Sequence, residues 1–297
     1  MATEEQIEKW REAGKIASEV KKFARSKAKK GISIVELADT IEARIAELGG
    51  KPSFPVNIGI NEKAAHYTPF HDDKTVLGED LVKIDQGVAL DGFPTDTAFT
   101  LDLTSDKRHA KIIEVTEKAL KEAIKLARPG TPVREIGGKV HEVITAAGFS
   151  PIRNLSGHEI MRNKIHAGLS IPNYDNGNGS KLEENMIIAL EPFATTGEGL
   201  VKEGKESGDF ALIEKKPIRD ARAREVFIFI EKEFSTLPFA GRWIYKKFGR
   251  RGLHSLRLLV REGAVRNYNE LIEVSKQPTT HFEQTILVKD KPEVLTE

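Results

Sequence analysis

The chain of 297 residues has no cysteine, only three methionines and two tryptophans, and no long apolar run. The absence of cysteine excludes a disulfide scaffold, a thiolate-ligated zinc site and a thiol nucleophile. No run approaches the ~18 apolar residues of a membrane-spanning helix. The acidic, amphipathic N-terminus lacks the apolar core of a secretory signal. We therefore expect a globular, cytoplasmic protein with no membrane partner.

An excess of one charge sign is also lacking, because 46 Lys+Arg balance 45 Asp+Glu. This balance excludes a polybasic arm or an acidic tail as the dominant feature of the chain. The length predicts one or two domains with room for a sizeable core.

The hydrophobic patterns predict an α+β fold. Predicted helices cover residues 5–26, 34–48 (opened by a capping box at Ser33–Glu36), 106–128 and 132–148. Predicted strands cover 54–60, a hairpin over 81–101, 186–193 and 281–288, whereas 149–180 is expected to be a loop.

The second half carries a different pattern beyond about Lys205. Three helices (221–233, 240–247 and 253–262) and a small hairpin (264–274) are predicted there, in a winged-helix-like order. We expect residues 1–200 and 275–297 to form one catalytic domain, interrupted by an inserted helical subdomain over 201–274.

Four strand-like segments each place an acidic residue among apolar neighbours: Asp85, Asp96, Glu191 and Glu283. Buried carboxylates are rarely tolerated unless they are paired or bind a metal. A two-residue turn at Asp91-Gly92 would place Asp85 and Asp96 on one face of the hairpin as diagonal neighbours. For that pair alone, two solvated acids are an equal alternative. The other two glutamates favour a shared metal site.

Histidines supply further candidate ligands. His66, His158 and His166 lie in loop-flanked surroundings that contain glycine, beside the predicted carboxylate strands. The remaining five are expected to be packed or exposed residues without a site role: His71, His109, His141, His254 and His281.

These residues fall into a series of motifs that resembles a known family. In order along the chain they are KIDxG at 83–87, DG at 91–92, DTAFT at 96–100, SGH at 156–158, HAG at 166–168, EPFA at 191–194 and FExT at 282–285. The series resembles the type 2 methionine aminopeptidases, of an archaeal kind, over residues 5–290. The resemblance implies a pita-bread fold: a curved antiparallel sheet with outer helices in two pseudo-symmetric halves, plus the helical insert of type 2.

The resemblance implies a set of five metal ligands: Asp85, Asp96, His158, Glu191 and Glu283. Four carboxylates and one neutral imidazole carry a charge of −4, which two divalent cations cancel. Such a set suits Co, Mn, Fe or Zn, and the identity stays open. The implied bridging acids are Asp96 and Glu283. The implied reaction is attack by a hydroxide that two metal ions activate.

The family also implies roles around the metal ions. Glu191 would both bind a metal and carry a proton to the leaving amine, while His66 would approach the scissile amide and His166 would stabilise the oxyanion. The implied substrate-binding residues are His66, His166, Phe54, Pro55, Ile165 and Tyr268. The implied function is removal of the N-terminal initiator methionine from nascent proteins, favoured when the second residue is small.

One residue departs from the family pattern. Gln284 stands where the family has histidine directly after the last glutamate. Because strand residues alternate, we expect Gln284 to point away from the Glu283 face and to leave metal binding intact.

Two other functions stay open. One is a Xaa-Pro peptidase of the same fold, although such relatives carry a long N-terminal domain. The other is a catalytically inactive relative that binds RNA or the ribosome, although such relatives have lost the ligands.

The predicted insert is basic, with ten Lys/Arg and three Glu over residues 221–261. We favour a solvated basic face over specific DNA binding. Proximity to the ribosome fits a nascent-chain substrate better. We expect a monomer.

Overall fold

Residues 2–297, which the computed structural model describes, form six helices and eighteen strands. The helices are α1 (Glu4–Lys27), α2 (Ile34–Glu47), α3 (Ala110–Lys125), α4 (Val133–Ala146), α5 (Ala221–Phe234) and α6 (Gly241–Arg261). The strands are β1 (Lys51–Pro52), β2 (Asn57–Ile60), β3 (Lys63–Ala65), β4 (Leu81–Gln86), β5 (Val88–Leu90), β6 (Phe93–Pro94), β7 (Thr97–Asp102), β8 (Ser150–Pro151), β9 (Ser156–Ile160), β10 (Ser170–Pro172), β11 (Ile187–Leu190), β12 (Phe193–Thr195), β13 (Val201–Leu212), β14 (Phe239–Ala240), β15 (Val265–Glu273), β16 (Thr279–His281), β17 (Gln284–Leu287) and β18 (Glu293–Val294). The predicted α+β class is confirmed.

The first two helices begin in different ways. The Thr3 side chain accepts a hydrogen bond from the backbone of Gln6, and the Gln6 side chain accepts one from the backbone of Thr3, which is a capping box for α1. The predicted capping box of α2 is wrong, because Ser33 makes no side-chain cap bond. Ser33 instead bridges to Val76, and the Ile34 amide donates to the Thr75 carbonyl.

The hairpin of β4 to β7 has the predicted register. Asp85 lies opposite Ala98 and Leu90 opposite Phe93, while Asp91 and Gly92 both have positive φ, as a type I′ turn requires. The ladder is interrupted at Gly87, where an added Cβ would lie 2.0 Å from the Thr95 carbonyl oxygen. Only glycine therefore fits at position 87, between β4 and β5.

The second half contains a matching interrupted pair. Leu190 pairs with Gln284 and Phe193 with His281, so the break between β11 and β12 lies opposite the break between β16 and β17. The two breaks place Glu191 opposite Glu283.

Residues 149–180, predicted to be loop-like and extended, include three short strands, β8, β9 and β10. Strand β9 pairs with β10 on one side and with β11 on the other. An added Cβ at Gly157 would lie 2.4 Å from the Ala189 carbonyl oxygen, so a glycine permits the close pairing. This pairing holds His158 in the sheet.

Buried threonines join the two halves. Thr97 Oγ1 donates to the Glu283 carbonyl at 2.9 Å, and Thr285 Oγ1 donates to the Asp96 carbonyl at 2.7 Å. The backbones of Ala98 and Glu283 also exchange two hydrogen bonds. Each half therefore positions an acidic residue of the other.

The main core lies between the antiparallel strands and the helices α1 to α4, which pack outside them. This arrangement is the curled sheet with outer helices that the pita-bread description implies. Within residues 2–297, no helix combines the length and apolarity needed to cross a bilayer.

The segment between β13 and β15 has an apolar cluster of its own. Helix α5 and the two arms of α6, separated at the non-helical Gly249, match the three predicted helices. The predicted hairpin over 264–274 is wrong. That segment is the single strand β15, which pairs with the distant strands β13 and β3 rather than with itself.

A buried arginine ties α6 to the N-terminal part of the chain. The Arg242 guanidinium is 1% exposed and donates to the carboxylates of Glu42 and Asp39. Trp243 Nε1 donates to the other oxygen of Glu42 at 2.7 Å. Glu42 is therefore a buried carboxylate whose only cationic partner within residues 2–297 comes from α6, in addition to a hydrogen bond from the Val56 backbone amide at 3.1 Å.

Replacement of Arg242 by methionine should destabilise the protein by roughly 3–5 kcal/mol, because Glu42 keeps a buried charge without its cation. Urea unfolding measures the change. Arg251→Met, at an exposed position of the same helix, should change stability by less than about 0.5 kcal/mol. Equal stability of the two variants would contradict this account of Glu42.

Candidate metal centre

A cavity of about 300 Å³ opens where the two halves of the sheet meet. The five residues predicted as metal ligands all line it: Asp85, Asp96, His158, Glu191 and Glu283. They come from positions that span about 200 residues of sequence, and the strand pairings described above bring them together.

Irregular backbone carries three of the four carboxylates into the cavity. Asp96 lies between β6 and β7, Glu191 between β11 and β12, and Glu283 between β16 and β17. Asp85 lies within β4, next to the break at Gly87. Each break frees a residue from regular pairing, so its side chain reaches the common point.

The imidazole of His158 lies between two of the acids. Its Nε2 atom is 3.5 Å from Asp96 Oδ2 and 3.7 Å from Glu191 Oε1. One ligand atom from each of Asp96, His158 and Glu283 lies within 4.8 Å of the other two. These separations fit atoms that share one cation.

The carboxylates are short of positive charge. Burial, followed by repulsion from Asp96, raises the pKa of Asp85 and of Glu191 well above the usual range. The same two causes raise the pKa of Glu283, and burial raises that of Asp96. Buried oxygens of Asp85, Asp96 and Glu283 have no hydrogen-bond partner among the described residues. The donor set therefore fits divalent cations, which satisfy such oxygens and cancel the charge.

The predicted catalytic histidines lie on the open side of the carboxylates. The His166 ring is 4.3 Å from the His158 ring, and His66 packs edge-on against Tyr268 at 5.5 Å. Burial, followed by the His166 charge, lowers the pKa of His66 to about 4, and burial lowers that of His158 to about 4. His166 is exposed at the cavity, and desolvation by the neighbouring groups, followed by the His158 charge, lowers its pKa. All three imidazoles are therefore neutral at pH 7.

The predicted substrate-binding residues lie in the cavity wall with one exception. Phe54, Ile165 and Tyr268 line the cavity together with His66 and His166. Pro55 is buried but does not line it, and its carbonyl accepts a hydrogen bond from the Asn57 side chain at 2.9 Å. Asn57, two residues further along the chain, lines the cavity. The substrate-binding role of Pro55 stays a prediction.

Sequence reasoning missed two groups at the site. His281 was expected to have no site role, yet its Nε2 is 3.5 Å from Glu283 Oε2 and 3.7 Å from Glu191 Oε2. Its position two residues before Glu283 was the available signal, since such residues share a strand face. Asp209, an acid in an apolar stretch of β13, also lines the cavity.

The orientation predicted for Gln284 is confirmed. Its Oε1 accepts hydrogen bonds from Thr296 Oγ1 at 2.6 Å and from Lys21 Nζ at 3.3 Å, on the side away from Glu283. The departure from the family pattern therefore changes the packing against α1 and the C-terminus.

Acidic residues from paired strands around such a cavity are typical of a metallopeptidase. Similarity to known proteins supports this class. Residues 8–289 match the model of metallopeptidase family M24, and the chain belongs to this family. Methionine aminopeptidases of Pyrococcus horikoshii and Pyrococcus abyssi are 46% and 44% identical over 295 residues, which cover 98% of this chain and 99% of each relative. The methionine aminopeptidase of Saccharolobus solfataricus is 39% identical, covering 97% and 96% of the two chains.

Solved structures share the fold at lower identity. A thermophilic Arx1 superposes with a TM-score of 0.88 at 17% identity, covering 99% of this chain and 91% of that one. Methionine aminopeptidase from Thermotoga maritima gives 0.73 at 22% identity, covering 100% and 98%. The prolidase of Pyrococcus furiosus gives 0.64 at 19% identity, covering 100% of this chain and 65% of the prolidase. These likenesses show the fold alone.

Stabilisation by a divalent cation should grow as the pH rises from about 6 to 8. The raised pKa values mean that the folded, metal-free carboxylates hold protons that a cation must displace, and this competition weakens as the pH rises. The same protons make the carboxylates' contribution to the metal-free fold fall with rising pH. The neutral imidazoles add no proton competition in this range.

The measurement is the Tm increment at a fixed Co(II) concentration at pH 6, 7 and 8. Effects of other titrating groups are common to the metal-free and loaded protein and cancel in the increment. Asp96→Asn, which cannot titrate, should give a smaller increment that depends less on pH. An increment that is largest at pH 6 would contradict the assignment.

Proposed function

We propose that this chain removes N-terminal methionine from proteins, using divalent cations held by Asp85, Asp96, His158, Glu191 and Glu283. The observation that carries the proposal is the convergence of these five side chains, with buried oxygens lacking partners, at the end of an open cavity. The methionine aminopeptidases that match nearly the whole chain at 39–46% identity support the same activity.

The proposed centre holds two cations. Two divalent ions would cancel the donor charge of −4. Glu283 belongs to both clusters of possible ligand atoms, and Asp96 would be the second shared acid, as the family resemblance implies. Bound cations supply Lewis acidity and a hydroxide nucleophile at neutral pH. Co, Mn, Fe and Zn all suit this mixed oxygen and nitrogen set.

The protein's own groups supply proton transfer and orientation. Burial, followed by repulsion from Asp96, raises the pKa of Glu191, which makes its carboxylate a stronger base. We assign Glu191 to take up a proton and pass it to the leaving amine. His166 and His66 are neutral, so each can donate one N–H to the substrate. We assign His166 to the developing oxyanion and His66 to the scissile amide.

Side-chain selectivity is proposed to come from the apolar wall. Phe54 and Ile165 are buried and belong to one apolar cluster, and Tyr268 packs edge-on against His66 in the cavity wall. Such walls discriminate by only ~1–3 kcal/mol per methylene, so the preference for methionine is relative. A small second residue is preferred in this proposal because the imidazoles of His66 and His166 flank the position beyond the scissile bond.

Xaa-Pro peptidase activity remains the second candidate from the same fold. The prolidase likeness lies below 25% identity, whereas the methionine aminopeptidases are 39–46% identical over nearly the full length. An inactive binding relative is disfavoured by the complete set of five acidic and imidazole groups in the cavity.

A further part of the proposal concerns the partner and the insert. We assign residues 201–274 to an inserted subdomain because α5 and α6 pack around a cluster of their own. Exposed bases on α6 form a positive face suited to ribosomal phosphates: Lys246, Lys247, Arg250, Arg251 and Arg257. Buried Arg242 does not belong to this face. We propose a cytoplasmic monomer that meets nascent chains at the ribosome.

Hydrolysis of Met-Ala-Ser should exceed that of Xaa-Pro peptides and should disappear after thorough chelation, then return with Co(II) or Mn(II). Glu283→Ala should abolish turnover, whereas Gln284→Ala, whose side chain points the other way, should retain it. Release of methionine measured by chromatography checks this. Activity that survives metal removal would contradict the mechanism, and faster Xaa-Pro cleavage would favour the second candidate.

Loss of the oxyanion donor is tested separately. His166→Ala should lower kcat by roughly 10²–10³-fold, because one donor to the oxyanion is removed. Its metal content, measured by atomic absorption, should equal that of wild type. His141→Ala, on the exposed face of α4, should leave both values unchanged. An empty metal site in His166→Ala would show that the ligand assignment is mistaken.

A further inference from the structure

His281 is held rigidly behind the carboxylates. It ends strand β16, where its backbone N–H donates to Thr100 Oγ1 at 2.9 Å and its carbonyl accepts from the same hydroxyl at 2.7 Å. The ring stacks on Phe193 at 3.9 Å with an interplanar angle of 14°. The residue is 1% exposed, so the imidazole has one well-defined position.

The Nε2 atom of His281 has no hydrogen-bond partner among the described residues. A buried ring nitrogen without a partner is costly and calls for a ligand. The atom lies 3.5 Å from Glu283 Oε2 and 3.7 Å from Glu191 Oε2. One ligand atom from each of Asp85, His281 and Glu283 lies within 4.8 Å of the other two.

The surroundings of His281 repeat those of His158. Each Nε2 is 3.5 Å from one acid and 3.7 Å from Glu191, and the two imidazoles approach opposite oxygens of that carboxylate. Two atoms bound to one cation at about 2.1 Å in tetrahedral geometry lie about 3.4 Å apart. The separation of His281 Nε2 from Glu283 Oε2 fits that value.

We propose that His281 is a sixth metal ligand, binding the cation that Asp85 and Glu283 hold. Each of the two cations then has one imidazole: His158 for the cation on the Asp96 and Glu191 side, and His281 for the other. This inference rests on the proposed cation pair and adds a ligand to it. Because imidazole suits Zn, Fe and Co better than Mg or Mn, His281 shifts the second position toward those metals.

The test compares His281→Gln and His281→Ala with wild type and with His141→Gln, a matched change at an exposed histidine. Equilibrium dialysis against Co(II) and Mn(II) gives the number and affinity of bound ions. X-ray absorption of the cobalt-loaded protein gives the number of imidazoles per cobalt. Neither measurement depends on turnover.

We expect wild type and His141→Gln to bind two cobalt ions, with one imidazole each on average. In both His281 variants, the affinity for one of the two ions should fall by at least about 10-fold. This loss of affinity should be larger for Co(II) than for Mn(II). At full loading, the average imidazole count per cobalt should fall to about one half, because one of the two imidazoles is gone.

Two results would overturn the proposal. If His281→Gln binds both ions as wild type does while His281→Ala does not, His281 is a hydrogen-bond donor that positions Glu283, since the glutamine amide can replace an N–H. An unchanged imidazole count in either variant has the same consequence. Wild type that binds no cobalt would instead refute the proposed cation pair itself, so the two failures are distinguishable.

Discussion

The structure depends on the burial of four carboxylates at one point. Like charges at such short range repel in a low-dielectric interior, and no lysine or arginine within 4.0 Å of Asp85, Asp96, Glu191 or Glu283 pairs with them among the described residues. The two imidazoles beside them are neutral. Such a concentration of buried acids is relieved either by protons or by cations, and the donor set fits the metallopeptidase family to which the chain belongs.

The rest of the architecture serves to bring these groups together. Glycines at 87 and 157 let strands approach where a methyl group would collide, and breaks in the ladder free Asp96, Glu191 and Glu283 to turn inward. Threonine hydroxyls across the two halves then hold the backbone carbonyls of Glu283 and Asp96. The irregular positions thus carry the cavity acids, whereas the regular elements around them supply the apolar core that stabilises the arrangement.

Rules for turns and strands predicted those parts of the site whose geometry depends on residues close together in the sequence. Turn chemistry at Asp91-Gly92 and strand alternation placed Asp85 correctly against Ala98 and turned Gln284 away from the cavity. The same rules failed for strands whose pairing partners are distant in the sequence. Strand β9 is short and rich in loop-forming residues, so its existence depends on β11, and β15 forms against β13 some sixty residues earlier. The shared face of His281 and Glu283 was readable from their spacing, but a histidine judged alone gives no such signal.

The segment from β16 to β17 contains Glu283, one of the four buried acids. It also makes the hydrogen bonds that join the two halves of the chain. Thr285 bonds to Asp96 across almost two hundred residues, and β17 lies in the middle of its sheet rather than at an edge. A nascent chain that ends before Glu283 therefore lacks both an acid of the candidate metal centre and an interior strand of this sheet. The centre can assemble only when nearly the whole chain has been made.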